Sequence, residues 1–292
     1  MKEYLLQTDK IKFGLTISLI LLIVLYLGGV TVFNGEPEVM MSEVEPMFVS
    51  QCVSQSNLAP LDRHGEIAVS VWNIYKQQKP QWKSQLHELT EHSDLVLLQE
   101  ARLNRGFSTY LAQTQRHVVM AKGFKLLNIP MGVMNISTEQ AGDACAYQTV
   151  EPWIRFAKST LITSYPLSTG EQLLVINLHG LNFDWKLDRF QTQWQRVLQK
   201  VAIHQGPVIL GGDFNTWRDG RVKLVRELTE RLKLKEAKYH VDHRHRVFGL
   251  PLDHLYYKGL ILVNASSMQT NASDHNPIWA KFLVEPTSNK YD

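Results

Sequence analysis

Pro207-Val208-Ile209-Leu210-Gly211-Gly212-Asp213-Phe214-Asn215-Thr216-Trp217 reads as a buried strand that ends in polar groups. Val208, Ile209 and Leu210 form an unbroken apolar run, as expected of a strand covered on both faces. Gly211 and Gly212 let the backbone turn tightly. Asp213 and Asn215 lie two places apart, so in an extended or gently turning segment both side chains point the same way. A simple turn closing a strand has the same composition. What favours the floor of a site is that the design recurs along the chain.

Outward from this stretch, strand-like runs alternate with helical ones. Upstream, residues 67–72 read as a strand ending at Asn73. Residues 82–92 read as a helix with Trp82, Leu86 and Leu89 on one face, and 94–98 as a buried strand ending at Gln99 and Glu100. Residues 132–136, 155–163 and 172–178 are further strands. An amphipathic helix over 184–202 buries Leu187, Phe190, Trp194, Val197, Leu198 and Val201. Downstream, 222–232 is helical, and strands follow near 252–257, 260–264 and 277–284. Short connections mixed with helical crossovers predict two sheets packed as a sandwich and flanked by helices.

The chain has 292 residues, enough for one large domain and too few for two once the N-terminal 65 are set aside. A net charge of +3 is mild. It does not mark a nucleic-acid coat protein, and it does not repel a phosphate-bearing substrate.

Residues 13–33 carry no charge and are mostly Leu, Ile, Val, Gly and Thr. At about 1.5 Å per helical residue the run spans a hydrocarbon core of roughly 30 Å. Lys2, Lys10 and Lys12 precede it; Glu36, Glu38, Glu43 and Glu45 follow. The positive-inside tendency predicts a cytoplasmic tail and single-pass anchor over 1–33 and an extracytoplasmic domain, a cytoplasmic protein being the alternative. An uncleaved anchor fits better than a signal peptide, because the run is long and no small-x-small site follows. Residues 34–65, with Pro37, Pro46 and Pro60, read as a linker, 66–286 as the domain and 287–292 as a tail. The linker holds Cys52 and the domain Cys145, the two cysteines of the chain. A bridge and two unrelated thiols both remain open.

Polar groups recur at strand ends. Asn73, Glu100, the Asn177-Leu178-His179 triplet, Asp213 with Asn215, Asp253, and Asp274 with His275 all sit at or just beyond one. Each has a plain structural reading, as turn former, cap or satisfied core histidine. Together they point to one crevice, where layered α/β folds gather side chains from distant parts of the sequence.

At these residues the sequence resembles the endonuclease/exonuclease/phosphatase superfamily, the fold of DNase I and exonuclease III. The matching pieces are Val71-Trp72-Asn73-Ile74, Leu97-Leu98-Gln99-Glu100, Asn177-Leu178-His179, Gly212-Asp213-Phe214-Asn215, Leu252-Asp253-His254 and Ser273-Asp274-His275-Asn276-Pro277. They occur in the family's order across residues 67–284. Trp72 to Gln78 and Phe248 to Asp253 are similar to the bacterial YafD-like branch. The resemblance implies a four-layer α/β/β/α sandwich of DNase I type and a metal-dependent phosphoric ester hydrolase.

The chemistry agrees. Hydrolysing a phosphate ester needs a hard cation, an oriented water and a proton donor for the leaving oxygen. Glu100 and the carbonyl oxygen of Asn73 suit Mg²⁺ or Mn²⁺, and the resemblance adds Asp274. His275 is expected to transfer a proton, oriented by Asp253. Asp213 and Asn215 are expected to position the water and bind phosphate, and His179 to stand at the phosphate supported by Asn177. Lys76, Arg244 and Arg246 are further phosphate-facing candidates, since neighbouring arginines can grip phosphate. His240, His243 and His245 lie in a basic, turn-rich region and read as solvated. Trp72, Trp153, Trp185 and Trp217 either stack on bases or pack the core.

The expected function is a membrane-anchored, Mg²⁺-dependent phosphodiesterase, acting on nucleic acid or on a phospholipid headgroup. The membrane is engaged through the N-terminal helix, and no protein partner is inferred. The other class of reading is a catalytically silent binding module of the same fold.

Overall fold

The computed structural model describes residues 11–25, 34–42 and 47–285. The chain divides into two units, Met1–Gly35 and Glu36–Asp292. In the first, residues 11–25 are helical. The expected single-pass membrane placement is corrected: among the described residues no helix is long and apolar enough to cross a membrane. Residues 26–33 of the expected anchor, and the tail 287–292, lie outside the described residues.

The second unit is built on strands β1 (Val39–Ser42), β2 (Cys52–Ser54), β3 (Glu66–Asn73), β4 (Leu95–Arg102), β5 (His117–Leu126), β6 (Ile129–Ser137), β7 (Asp143–Val150) and β8 (Ala157–Pro166). They continue as β9 (Gln172–His179), β10 (Val208–Asp213), β11 (Lys235–Glu236), β12 (Arg246–Val247), β13 (Leu250–Pro251), β14 (Asp253–Lys258), β15 (Leu260–Ser267) and β16 (Ile278–Val284). The helices are α1 (Trp82–Glu91), α2 (Arg105–Gln113), α3 (Asp188–Ile203) and α4 (Asp219–Arg231). One sheet runs β1-β5-β6-β4-β3-β16-β15 and the other β11-β14-β10-β9-β8-β7-β2.

The period of two along each strand divides the apolar side chains between layers. On β3 and β4, Val69, Val71, Leu95 and Leu97 meet Leu161, Val175, Ile209 and Leu255 of the second sheet in one buried core. The alternate residues Trp72, Val96 and Leu98 pack under Leu86, Leu89 and Phe107 of α1 and α2. On the far side, Ile176, Leu178 and Leu210 pack under Phe190 and Trp194 of α3 and Val225 of α4. Helix, sheet, sheet and helix thus form the four layers expected.

Residues 34–65, read from sequence as a linker, instead contribute the edge strands β1 and β2, paired with β5 and β7. Prolines and polar residues do not exclude edge strands, where half of the backbone groups face outward. Cys52 stands opposite Cys145 in the β2–β7 register, and the two are bonded. The bridge spans 93 residues of sequence, and restricting the unfolded chain in this way typically stabilises a fold by about 2–4 kcal/mol. Cys52→Ser is expected to lower the midpoint of urea unfolding accordingly. An unchanged midpoint would leave the bridge without a stabilising role.

Candidate active site

The site lies where the two sheets open at their strand ends. β9 and β10 run parallel with His179 beside Asp213, and β14 runs antiparallel with Asp253 beside Asp213. Asn73 closes β3. These residues continue the inward-facing alternation of their strands, so they collect between the sheets. At Gly212 (φ 148°) an added Cβ would lie 1.9 Å from the Leu178 carbonyl oxygen, so only glycine lets β10 lie this close to β9.

Glu100 is aimed by a bulge. The β4–β6 register shifts between Leu98 and Ala101, and Glu100 adopts φ 55° within that shift, as bulges beside active sites do. Tyr75, Lys76 and Gln77 hold positive φ in succession, a costly run that brings the Lys76 ammonium onto the Glu100 carboxylate.

Asp213 is the hub. Its Oδ1 accepts from the Asn215 backbone N–H at 3.0 Å. Its Oδ2 accepts from Asn73 Nδ2 at 3.0 Å and lies 3.6 Å from His179 Nε2 and 4.0 Å from His275 Nε2. Asn215 is buried at φ 53° and donates its own Nδ2 to the Gly180 carbonyl. His275 Nδ1 meets Asp253 Oδ2 at 2.7 Å. Ser273 Oγ donates to the Asn73 carbonyl and accepts from the His275 backbone N–H, while Trp72 Nε1 donates to the His275 carbonyl. The Asp-His turn is thereby tied to the end of β3.

Burial opposes the charged His275 ring, yet Asp253 and Asp213 beside it outweigh that and raise its pKa to about 10. Burial raises the Asp213 carboxyl to about 6, with Asp253 adding and His275 opposing. Burial, together with the cations Lys158, Lys76 and His275, holds His179 well below the ordinary imidazole range. Its neutral ring therefore accepts from Lys158 Nζ, which lies 2.7 Å from Nε2. Burial alone would raise Glu100, but Lys158 and Lys76 outweigh it and keep the carboxyl low.

Not every sequence candidate joins this cluster. Asn177 is fully buried between the sheets, donating to the Leu98 and Met134 carbonyls and to Asn135 Oδ1, and accepting from Gln99 Nε2. It staples the layers and does not face phosphate. Arg244 is also corrected: its guanidinium is held by Asp242, by Glu236 Oε1 at 3.0 Å and by the Asp253 carbonyl at 3.1 Å. Arg246 pairs with Asp242 at 2.6 Å. The arginines have local carboxylates that sequence proximity hid. Asp274 is exposed, with its Oδ1 3.2 Å from Ser273 Oγ. Trp72 is core, and Trp185 packs edge-on against Trp217.

Three residues were missed. Lys158, at the start of β8, stands over His179 and lies 3.9 Å from Glu100 Oε1; a lone lysine at a strand start carries no pattern. His245, read as solvated, has its ring centroid 5.2 Å from that of His275. Arg221, on the buried face of α4, donates to the carbonyls of Asn182 and Asp184 at 2.8 and 3.1 Å and of Asn215 at 3.3 Å. It fixes the loops that follow β9 and β10. An arginine in register with Leu224, Val225 and Leu228 on one helix face was the available signal.

For a cation, Asp213, Asp253 and His275 offer ligand atoms within 4.8 Å of one another. The carboxylates of Glu100, Asp213 and Asp274 are oxygen donors that fit a hard divalent ion. The expected set of Asn73, Glu100 and Asp274 is not joined by direct contacts. Asn73 spends its carboxamide oxygen on the Tyr75 N–H, and its carbonyl accepts from Ser273 Oγ.

The sequence matches the endonuclease/exonuclease/phosphatase family over residues 70–275. It is 38% identical over 268 residues to a UPF0294 protein of Vibrio vulnificus (strain YJ016), covering 89% of this chain and 94% of that one. Among solved structures, the fold is similar to an endonuclease/exonuclease/phosphatase from Bacteroides vulgatus, with TM-score 0.60, 13% identity and coverage of 75% and 99% of the two chains. ANGEL2, described as a 2′,3′-cyclic phosphatase, matches at TM-score 0.60 and 14% identity, covering 74% and 95%.

Proposed function

The chain belongs to the endonuclease/exonuclease/phosphatase family, and from that premise we propose that it is a Mg²⁺-dependent phosphodiesterase. The observation that supports this most is the buried Asp253–His275 pair facing Asp213, with Glu100, Lys158 and His179 opposite. Buried ionisable groups at this density are costly to a fold that has no use for them, which counts against a silent scaffold. A structural neighbour is described as a 2′,3′-cyclic phosphatase.

In hydrolysis a water oxygen bonds to phosphorus, the ester P–O bond breaks, and the leaving oxygen takes a proton. Carboxylates such as Glu100 and Asp274 would hold a Mg²⁺, which would supply positive charge against the phosphate. Asp213, with its carboxyl near 6, is ionised at neutral pH and suited to accept the water's proton. His275, charged across neutral pH, is suited to give the proton that the leaving oxygen takes, while Asp253 holds the ring. Lys158 and Lys76 supply positive charge where the phosphate's negative charge gathers.

The test is hydrolysis by the purified protein of DNA, RNA, a phospholipid and an aryl phosphodiester, each with Mg²⁺ and with EDTA. Mg²⁺-dependent cleavage of at least one is expected. No turnover on any of them would overturn the reading.

A further inference from the structure

The ionic cluster forms one end of a cavity of about 310 Å³ whose remaining wall is of a different character. From Lys76, Glu100, Lys158 and His179 it runs past Phe124, Leu126, Met131, Ile154, Phe156 and Phe183. Phe124 and Phe156 stack with centroids 4.6 Å apart, so they form a fixed wall. Leu126, Ile154 and Phe183 are each more than a third exposed. They come from three separate segments: the end of β5, the β7–β8 connection and the β9–α3 connection. Their sequence neighbours Leu127 and Trp153 are 79% and 69% exposed. Scattered exposed apolar residues are ordinary, but several converging on one cavity beside an ionic cluster mark a binding surface.

We propose that this cavity is a subsite for a hydrocarbon group attached to the phosphate, making the substrate an amphiphilic phosphate ester. The proposal rests on the phosphodiesterase reading for placing the phosphate at Lys76, Lys158 and His179. Charge complementarity fixes that end, and continuity of the cavity carries the ester substituent onto the apolar wall. A nucleobase is disfavoured because the wall offers few groups to read its edge. Ser159 Oγ already accepts from the Val133 N–H at 3.0 Å. The Asn182 backbone N–H is given to Glu151, and its carbonyl accepts from Arg221 and Trp217. An acyl or alkyl chain asks for no hydrogen bond and gains from leaving water.

The experiment is calorimetric binding of n-alkylphosphonates, methyl to hexyl, to the full chain in Mg²⁺. Their carbon–phosphorus bond resists hydrolysis, so binding is read apart from catalysis. Affinity is expected to rise by about fourfold per methylene until the cavity is filled, the value for a buried CH₂. Leu126→Asp and Phe183→Asp, both at the exposed rim and checked for folding by circular dichroism, are expected to cut that slope by more than half. A flat series overturns the proposal, as does an unchanged slope in both variants. So does tighter binding of a dinucleotide phosphonate than of hexylphosphonate. A rising series in a protein that hydrolyses no phosphodiester supports the subsite and removes the phosphodiesterase reading alone.

Discussion

Asp213→Ala and His275→Ala are each expected to lower phosphodiester turnover by at least about a hundredfold, and EDTA to do the same to the wild type. General acid–base groups contribute about 10²–10⁴ in rate, and both residues touch the same small volume, with Asp213 Oδ2 4.0 Å from His275 Nε2. Titration of the metal-free protein carries a separate signature. Because burial raises Asp213 to about 6, its carboxylate is lost there as pH falls through 6 and not through the ordinary aspartate range near 4. NMR of the metal-free protein is therefore expected to show a carboxyl titrating near 6. Asp213→Asn, which keeps the Asn73 contact region filled but cannot accept a proton, should lose that titration along with the rate. Full activity in EDTA, or an undiminished rate in His275→Ala, would refute the assignment.

The sequence spoke clearly where one physical rule acts alone. The buried run Val208-Ile209-Leu210 and the segment 94–98 had to be interior strands, and β10 and β4 are central in their sheets. Strand ends then gathered Asn73, Glu100, His179, Asp213, Asp253 and His275 into one crevice. Where context decides, the reading failed. Arg244 resembled a phosphate ligand until Glu236 and Asp242 appeared beside it, a contact set by the β11–β14 pairing. Asn177 resembled a site residue because it precedes His179 by two and so shares its face; depth along that face separates a buried staple from a site group. α2, β5 and β7 carry mixed polar sequence and showed no clean period, yet tertiary pairing makes them regular. Lys158 has no local signal at all, since its role comes from standing antiparallel to the end of β9.

Asp253→Asn is the sharper test, because it asks whether a carboxylate acts through a neighbour. Asp253 is buried, and its Oδ1 has no hydrogen-bond partner while Oδ2 lies 2.7 Å from His275 Nδ1. Asparagine keeps the shape, removes the charge and permits the reversed ring tautomer. Turnover is expected to fall by two orders of magnitude or more with the fold retained. In the metal-free protein, the His275 ring should titrate at lower pH in the variant, since Asp253 and Asp213 are what raise it to about 10 against burial. The sign for stability follows. A raised histidine pKa stabilises the fold fully below the unfolded value near 6.5, and that contribution fades as pH rises to about 10. Asp253→Asn should therefore cost most stability near pH 6, and the part due to this pairing should vanish above about 10. The double variant with His275→Ala should be scarcely slower than His275→Ala alone, because residues acting as a unit are non-additive. Multiplicative losses would separate the two and leave Asp253 as a residue that closes a strand.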